Sequence, residues 1–201
     1  MARYTGPKNK LSRREGVDLF GTGSKSLQKR LNTPPGGMHR RRRKPSDYGL
    51  QLREKQKVKR MYGLLERQFL RYFEQANRGA GVTGLKLLQL LEQRLDNVVY
   101  RLGFARTRPM ARQIVNHGHV LVDGHKVDVP SYRLTPGQTV RLTEDVMKTP
   151  QIEDLLEDKS TYVPEWLQPT GRGEGRMIRF PDRNEMDAHI SEELIVEFYS
   201  R

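Results

Sequence analysis

The chain contains no cysteine, which excludes disulfides and thiolate metal sites and suits a reducing compartment. No apolar run approaches the ~20 residues of a membrane span. The opening Met1-Ala2-Arg3-Tyr4-Thr5-Gly6 lacks the apolar core of a secretory leader. A cytoplasmic protein without a membrane partner is expected. Acidic residues are scarce in one region: residues 1–60 hold 4 Asp+Glu against 18 Lys+Arg. No carboxylate is paired in sequence with an evident base or nucleophile, so acid–base catalysis has no support and a non-catalytic role is expected.

What is present is positive charge, unevenly placed. The 201 residues carry a formal net charge of +13, with +14 in residues 1–60, +5 in 94–142 and −7 in 143–201. A basic head, a basic middle and an acidic tail point to a polyanionic partner, because cationic side chains displace counterions condensed on phosphates. The acidic tail suits either plain solvation or a basic neighbouring protein.

Residues 1–45 read as an extended basic arm. Gly6-Pro7, Gly21, Gly23 and Pro34-Pro35-Gly36-Gly37 interrupt any period. The run Arg40, Arg41, Arg42, Arg43, Lys44 repels itself and orders only against a neutralising partner. Ser46 or Asp47 caps a helical segment that continues until Gly79 to Gly84 breaks it. Arg53, Lys55, Lys57, Lys59 and Arg60 on that segment continue the basic cluster. A second helix is expected over about Leu85 to Leu102, with Leu88, Leu91, Leu95, Val98, Val99 and Leu102 on one stripe. Arg94, Asn97 and Arg101 lie on the flank away from it. Thr107 caps a third helix with Pro109 in its first turn, and Gly118 closes it. Its faces separate Arg108, Arg112, Gln113 and Asn116 from Met110, Ala111, Ile114 and Val115.

A hairpin follows. His119-Val120-Leu121-Val122 and His125-Lys126-Val127-Asp128-Val129 flank Asp123-Gly124, a dipeptide that tolerates positive φ at both turn positions. Thr139-Val140-Arg141-Leu142 reads as another strand. Residues 153–158 read as helical, 170–175 as a glycine-rich loop, and Leu194 to Tyr199 as an apolar run that docks on other structure.

Arg108 and Arg112 repel at i,i+4 unless a phosphate lies between them. Arg106, Asn116, His117 and His119 extend the same polar surface, so this region is a candidate RNA contact. A metal between His117 and His119 is disfavoured without cysteines or a nearby carboxylate cluster. Gly16-Val17-Asp18-Leu19-Phe20-Gly21 imitates a phosphate loop, but Thr22-Gly23 stands where Lys-Ser/Thr is needed. Trp166, Tyr100, Phe104 and Phe198-Tyr199 sit among Leu and Val as core residues do. No cofactor is expected.

Arg94 to Phe104, Ala111-Arg112-Gln113, His117-Gly118-His119, Val122-Asp123-Gly124 and Pro130-Ser131-Tyr132 together resemble the S4 RNA-binding module. That module also occurs in RNA-modifying enzymes, but the segments outside it are too short and basic for a catalytic domain. Ala2-Arg3-Tyr4, Gly6-Pro7-Lys8, Ser12-Arg13-Arg14-Glu15-Gly16, Ser46-Asp47-Tyr48, Leu52 to Lys57, Glu66-Arg67-Gln68-Phe69 and Glu197 to Arg201 resemble the bacterial ribosomal protein S4 family over nearly the whole chain.

The resemblance implies an α+β fold with three parts. These are the arm (1–45), a helical domain (46–93, completed by 185–201) and an inserted S4 module with its extension (94–184). It implies a primary binder of small-subunit ribosomal RNA that nucleates subunit assembly and resides in the small subunit. It also implies contact with ribosomal protein S5, which bears on decoding accuracy, and with mRNA at its channel through Arg40 to Lys44. No homo-oligomer is required. Arg3, Lys8, Arg13, Arg14, Arg94, Arg101 and Lys126 join the candidate RNA contacts. Some members bind zinc through four cysteines in the arm. Asn9 and Ser12 fill two of those positions here, so no metal is expected. A DNA-binding protein is the rival reading from charge alone.

Overall fold

The computed structural model describes residues 4–36, 46–158 and 162–200. The chain forms two compact units, one from the described residues of 1–86 with 189–201 and one from 87–188. The architecture is α+β.

The first unit is helical. It contains α1 (Lys8–Glu15), α2 (Lys25–Arg30), α3 (Asp47–Met61), α4 (Glu66–Arg78), the start of α5 (Thr83–Glu92) and α10 (Glu192–Tyr199). Two helices therefore occupy the region where no helical period is legible. Each is short and buries little: Ser12 is the buried residue of α1 and Leu27 that of α2. Ser46 caps α3 as its sequence suggests, its side chain accepting from the Gly49 amide at 3.2 Å. The helical segment from Ser46 is not continuous to Gly79. Gly63, at φ 64°, takes a left-handed turn that separates α3 from α4. Val58, Met61, Phe69, Phe73 and Ile195 form apolar interior positions of this unit.

The second unit contains α6 (Leu95–Arg101), α7 (Arg108–Asn116), α8 (Glu144–Met147), α9 (Pro150–Glu157) and five strands. These are β1 (Val120–Val122), β2 (His125–Lys126), β3 (Thr139–Leu142), β4 (Leu167–Gly171) and β5 (Glu174–Met177). They pair antiparallel in the order β2-β1-β3-β5-β4. The expected hairpin forms with Asp123 at φ 49° and Gly124 at φ 81°. The segment 170–175, read as a loop, is the turn of a second hairpin whose strands add to the sheet.

The helix expected over Leu85 to Leu102 is two helices. Arg94 is extended (φ −64°, ψ 137°) and forms an isolated antiparallel bridge with Arg133. The Leu95 amide donates to the Tyr132 carbonyl at 2.8 Å and Leu134 N donates to Gln93 O at 2.9 Å. The leucine stripe is real on both sides of the break. The break itself is set by the segment 130–134, distant in sequence. The core gathers α6, α7 and one sheet face around Trp166, Leu95, Val99, Val115, Val140 and Leu142.

Among the described residues, no helix is long and apolar enough to cross a membrane.

Candidate nucleic-acid interface

In the second unit, α7 starts where the Thr107 side chain accepts from Met110 N at 3.4 Å, with a proline in its first turn. It ends where Gly118 adopts φ 72°, a conformation that costs glycine nothing. The buried side is Ala111, Ile114 and Val115, and the opposite side exposes Gln113, Asn116 and His117. Arg106, just before the helix, is also exposed. The left-handed turn at Gly118 carries the chain into β1 and sets the rings of His117 and His119 6.1 Å apart. Lys126 of β2 folds over this turn. A Cβ placed on Gly118 would collide with the lysine Cε and lie 2.9 Å from its ammonium. Gly118 is required for its left-handed φ, and the flexible end of Lys126 lies over it. Arg106, Gln113, Asn116, His117 and Lys126 are exposed and His119 is half-buried; Arg106 stands before the start of α7, and the others run from its later turns into the hairpin.

The remaining arginines of this region are held inside an ion-pair network. Arg94 is 2% exposed and grips Asp96 with two hydrogen bonds of 3.0 and 2.7 Å. Arg101 grips Glu92 in the same manner, at 2.9 and 2.7 Å. Arg108 donates to Asn97 Oδ1 at 2.9 Å and to Asp187 at 3.1 Å, and stacks on Tyr100 at 4.6 Å. Arg112 lies 3.8 Å from Asp96. Asn97 donates in turn to both the carbonyl and the carboxylate of Glu92. Carboxylates therefore balance the like-charge spacing of Arg108 and Arg112, a task the sequence reading assigns to a phosphate. Arg94, Asn97 and Arg101 do not lie on an outer flank. They are interior or half-buried because the break at Arg94 turns them inward. Each buried charge meets a charge of opposite sign, as burial requires. Asp187, from the acidic tail, belongs to this network and was legible only as part of a charge run.

In the first unit, the cations of α3 also find internal partners. Arg53 and Arg60 both pair with Glu15 of α1, whose side chain is 2% exposed. Burial pushes the Glu15 carboxyl up despite the surrounding Arg53, Arg60, Arg14 and Lys57, and burial pushes Arg60 down. Lys55 and Lys59 both pair with Glu66 of α4, at 2.6 and 2.7 Å. Lys57 pairs with Glu54 at 2.8 Å and donates to the His189 carbonyl at 2.6 Å. Lys8 lies over the Phe20 ring at 5.6 Å. Arg13 donates to the carbonyls of Thr33 and Pro34. Arg14 is exposed, as are Lys25, Lys29 and Arg30 of α2. Arg3 and the run Arg40 to Lys44 lie outside the described residues.

Trp166 and Phe104 are buried, and the Tyr100 ring is covered by Arg108. Among the described residues, no group of three or more His, Asp or Glu side chains is placed to hold a metal.

Comparison with known proteins finds two family models along the chain. The model of a family described as Ribosomal protein S4/S9 N-terminal domain matches residues 3–92, and that of the S4 domain matches residues 93–140. The small ribosomal subunit protein uS4 of Herpetosiphon aurantiacus is 54% identical over 211 residues. Proteins of that name from Brevibacillus brevis and Dictyoglomus turgidum are 53% identical over 203 residues and 52% over 208. Each alignment covers 100% of both chains.

Proposed function

The chain belongs to the ribosomal protein S4 family, and from that membership we propose how its residues meet RNA. It is a small-subunit ribosomal protein that binds ribosomal RNA, structural rather than enzymatic, and its place is the small subunit in the cytoplasm. In the proposed interface, Arg106, Gln113, Asn116, His117, His119 and Lys126 donate to phosphate and ribose oxygens. Arg94, Arg101, Arg108 and Arg112 act from behind as positioning residues that fix α7 against α6. The observation that carries this reading is Lys126, whose side chain lies over Gly118, the residue between His117 and His119 in the chain.

A-form RNA has a deep groove that side chains do not read, so a rigid donor surface of this kind selects shape and phosphate spacing over sequence. The helical unit, completed by α10, and the S4 module with its extension serve as separate RNA-binding bodies. In this reading the protein nucleates subunit assembly, touches ribosomal protein S5, and offers Arg40 to Lys44 to mRNA at its channel. Charge complementarity supports these roles: the head is strongly basic and the tail acidic.

The test uses exposed residues, because reversing Arg108 or Arg112 would also break internal pairs. Arg106→Gln with Lys126→Gln is expected to weaken binding to a folded small-subunit rRNA transcript by about tenfold. The slope of log K against log salt should shrink by about 1.8, about 0.9 for each of the two lost phosphate contacts on a duplex. Unaltered affinity and slope in a filter-binding titration would move the interface elsewhere.

A further inference from the structure

Beside α1 there is a depression of about 230 Å³ lined by Tyr4, Pro7, Lys10, Leu11 and Arg14. It is smaller than the ~300–1,000 Å³ of clefts that enclose whole small molecules, and suits one planar ring. Its walls divide by chemistry. Tyr4, Pro7 and Leu11 supply apolar surface, with Tyr4 49% exposed. Lys10 and Arg14, one helical turn apart, supply two cations. Both are exposed, and neither forms an ion pair among the described residues. Glu15, the neighbouring carboxylate, is buried and paired with Arg53 and Arg60, with Arg14 among the cations around it.

A second observation concerns how the aromatic wall is made. The Tyr4 ring folds back over Gly6: a Cβ at Gly6 would meet its hydroxyl oxygen at 2.5 Å and its Cζ at 2.6 Å. Gly6 is not among the residues with positive φ, so a side chain added there would act on the Tyr4 ring and not on the backbone conformation. The chain leaves out a side chain there, and the ring takes the vacated volume.

We propose that this depression seats a single unpaired ribonucleotide, its base against the Tyr4 ring, Pro7 and Leu11 and its phosphate between Lys10 and Arg14. The inference rests on the RNA-binding reading above and adds a site at which one unstacked base is captured. An exposed aromatic beside a cationic pair is the arrangement that captures unstacked bases, since every base offers a π-face while the backbone carries the charge. An acidic protein segment would be served by the cations alone and would leave the aromatic wall without a use.

The test measures affinity of the full chain for a folded small-subunit rRNA transcript by filter binding across a salt series. Tyr4→Phe keeps the ring and is expected to stay within twofold. Tyr4→Ala is expected to lose about tenfold or more at unchanged salt slope, because stacking releases no counterions. Gly6→Ala displaces the ring and should reproduce that loss, yet cost nothing further in the Tyr4→Ala background. Lys10→Gln with Arg14→Gln should lower the slope by about 1.4. Circular dichroism confirms that each variant is folded. If Tyr4→Ala binds within twofold while the parent chain binds tightly, the nucleotide seat is overturned and the RNA-binding reading stands. If the parent chain ignores the transcript, both are overturned.

Discussion

The Lys55 ammonium lies 2.6 Å from Oε1 of Glu66 while resting 4.4 Å from the centre of the Phe198 ring. One lysine of α3 thereby joins α4 and α10. The Tyr199 hydroxyl donates to the same Glu66 oxygen at 3.1 Å, and burial together with that carboxylate pushes the phenol up. Burial alone would raise the Glu66 carboxyl, but hydrogen bonds and charge from Lys55 and Lys59 outweigh it and hold it at about 2.

A depressed carboxyl contributes stability that is present above its unfolded value of 4.5 and lost as pH falls toward about 2. Glu66 is half-exposed, so solvent screening limits this to about 1 kcal/mol. Urea unfolding at pH 7, 4.5 and 3 should show a smaller acid-side loss for Glu66→Gln than for the parent chain. Equal losses would mean that Lys55 and Lys59 do not bias the carboxyl.

Glu15 has the opposite sign. Its folded value is raised, so just above pH 4.5 the folded chain holds a proton that the unfolded chain has released. Stability then falls as pH rises through that interval. Glu15→Gln is expected to flatten this part of the profile, measured by the same urea series, and a profile superimposing on that of the parent chain would refute it.

Glu92 is fully buried and holds Arg101 and Asn97. Glu92→Ala leaves a half-buried arginine without its bidentate partner and should cost about 3–5 kcal/mol. The single tryptophan, Trp166, sits in the core of the same unit. Its fluorescence should therefore report the lowered urea midpoint directly.

Gly175 of β5 is needed for close approach. A Cβ there would meet Leu102 Cδ2 at 2.5 Å and Cδ1 at 3.0 Å. Gly175→Ala should overpack the contact of sheet and α6 and cost about 1–3 kcal/mol. A melting temperature equal to that of the parent chain would show that Leu102 repacks freely.

Much of the fold was legible because its signals are local. Thr107, Pro109 and Gly118 bound α7, Asp123-Gly124 marks the hairpin, and Ser46 marks the start of α3; each acts within four residues of itself. The break at Arg94 was not legible, because the leucine period continues across it and the cause lies at 130–134. The ion-pair network was hidden for the same reason. A count of arginines does not say which of them meet carboxylates: Glu15 meets Arg60, and Asp187 meets Arg108, across long stretches of chain. Sequence thus located the basic regions but not the division of labour within them. The signal for Tyr4 was weaker still, since only the folded chain shows its ring lying over Gly6.

The helical unit is discontinuous, with α3 early in the chain and α10 after all of the second unit. During translation, α3 emerges with Gln51 and Glu54 lacking their partners Glu197 and Ser191. It waits on the order of ten seconds at ordinary elongation rates. The S4 module has by then left the exit tunnel in full. Vectorial synthesis therefore leaves the side of α3 that α10 covers open until α10 itself emerges.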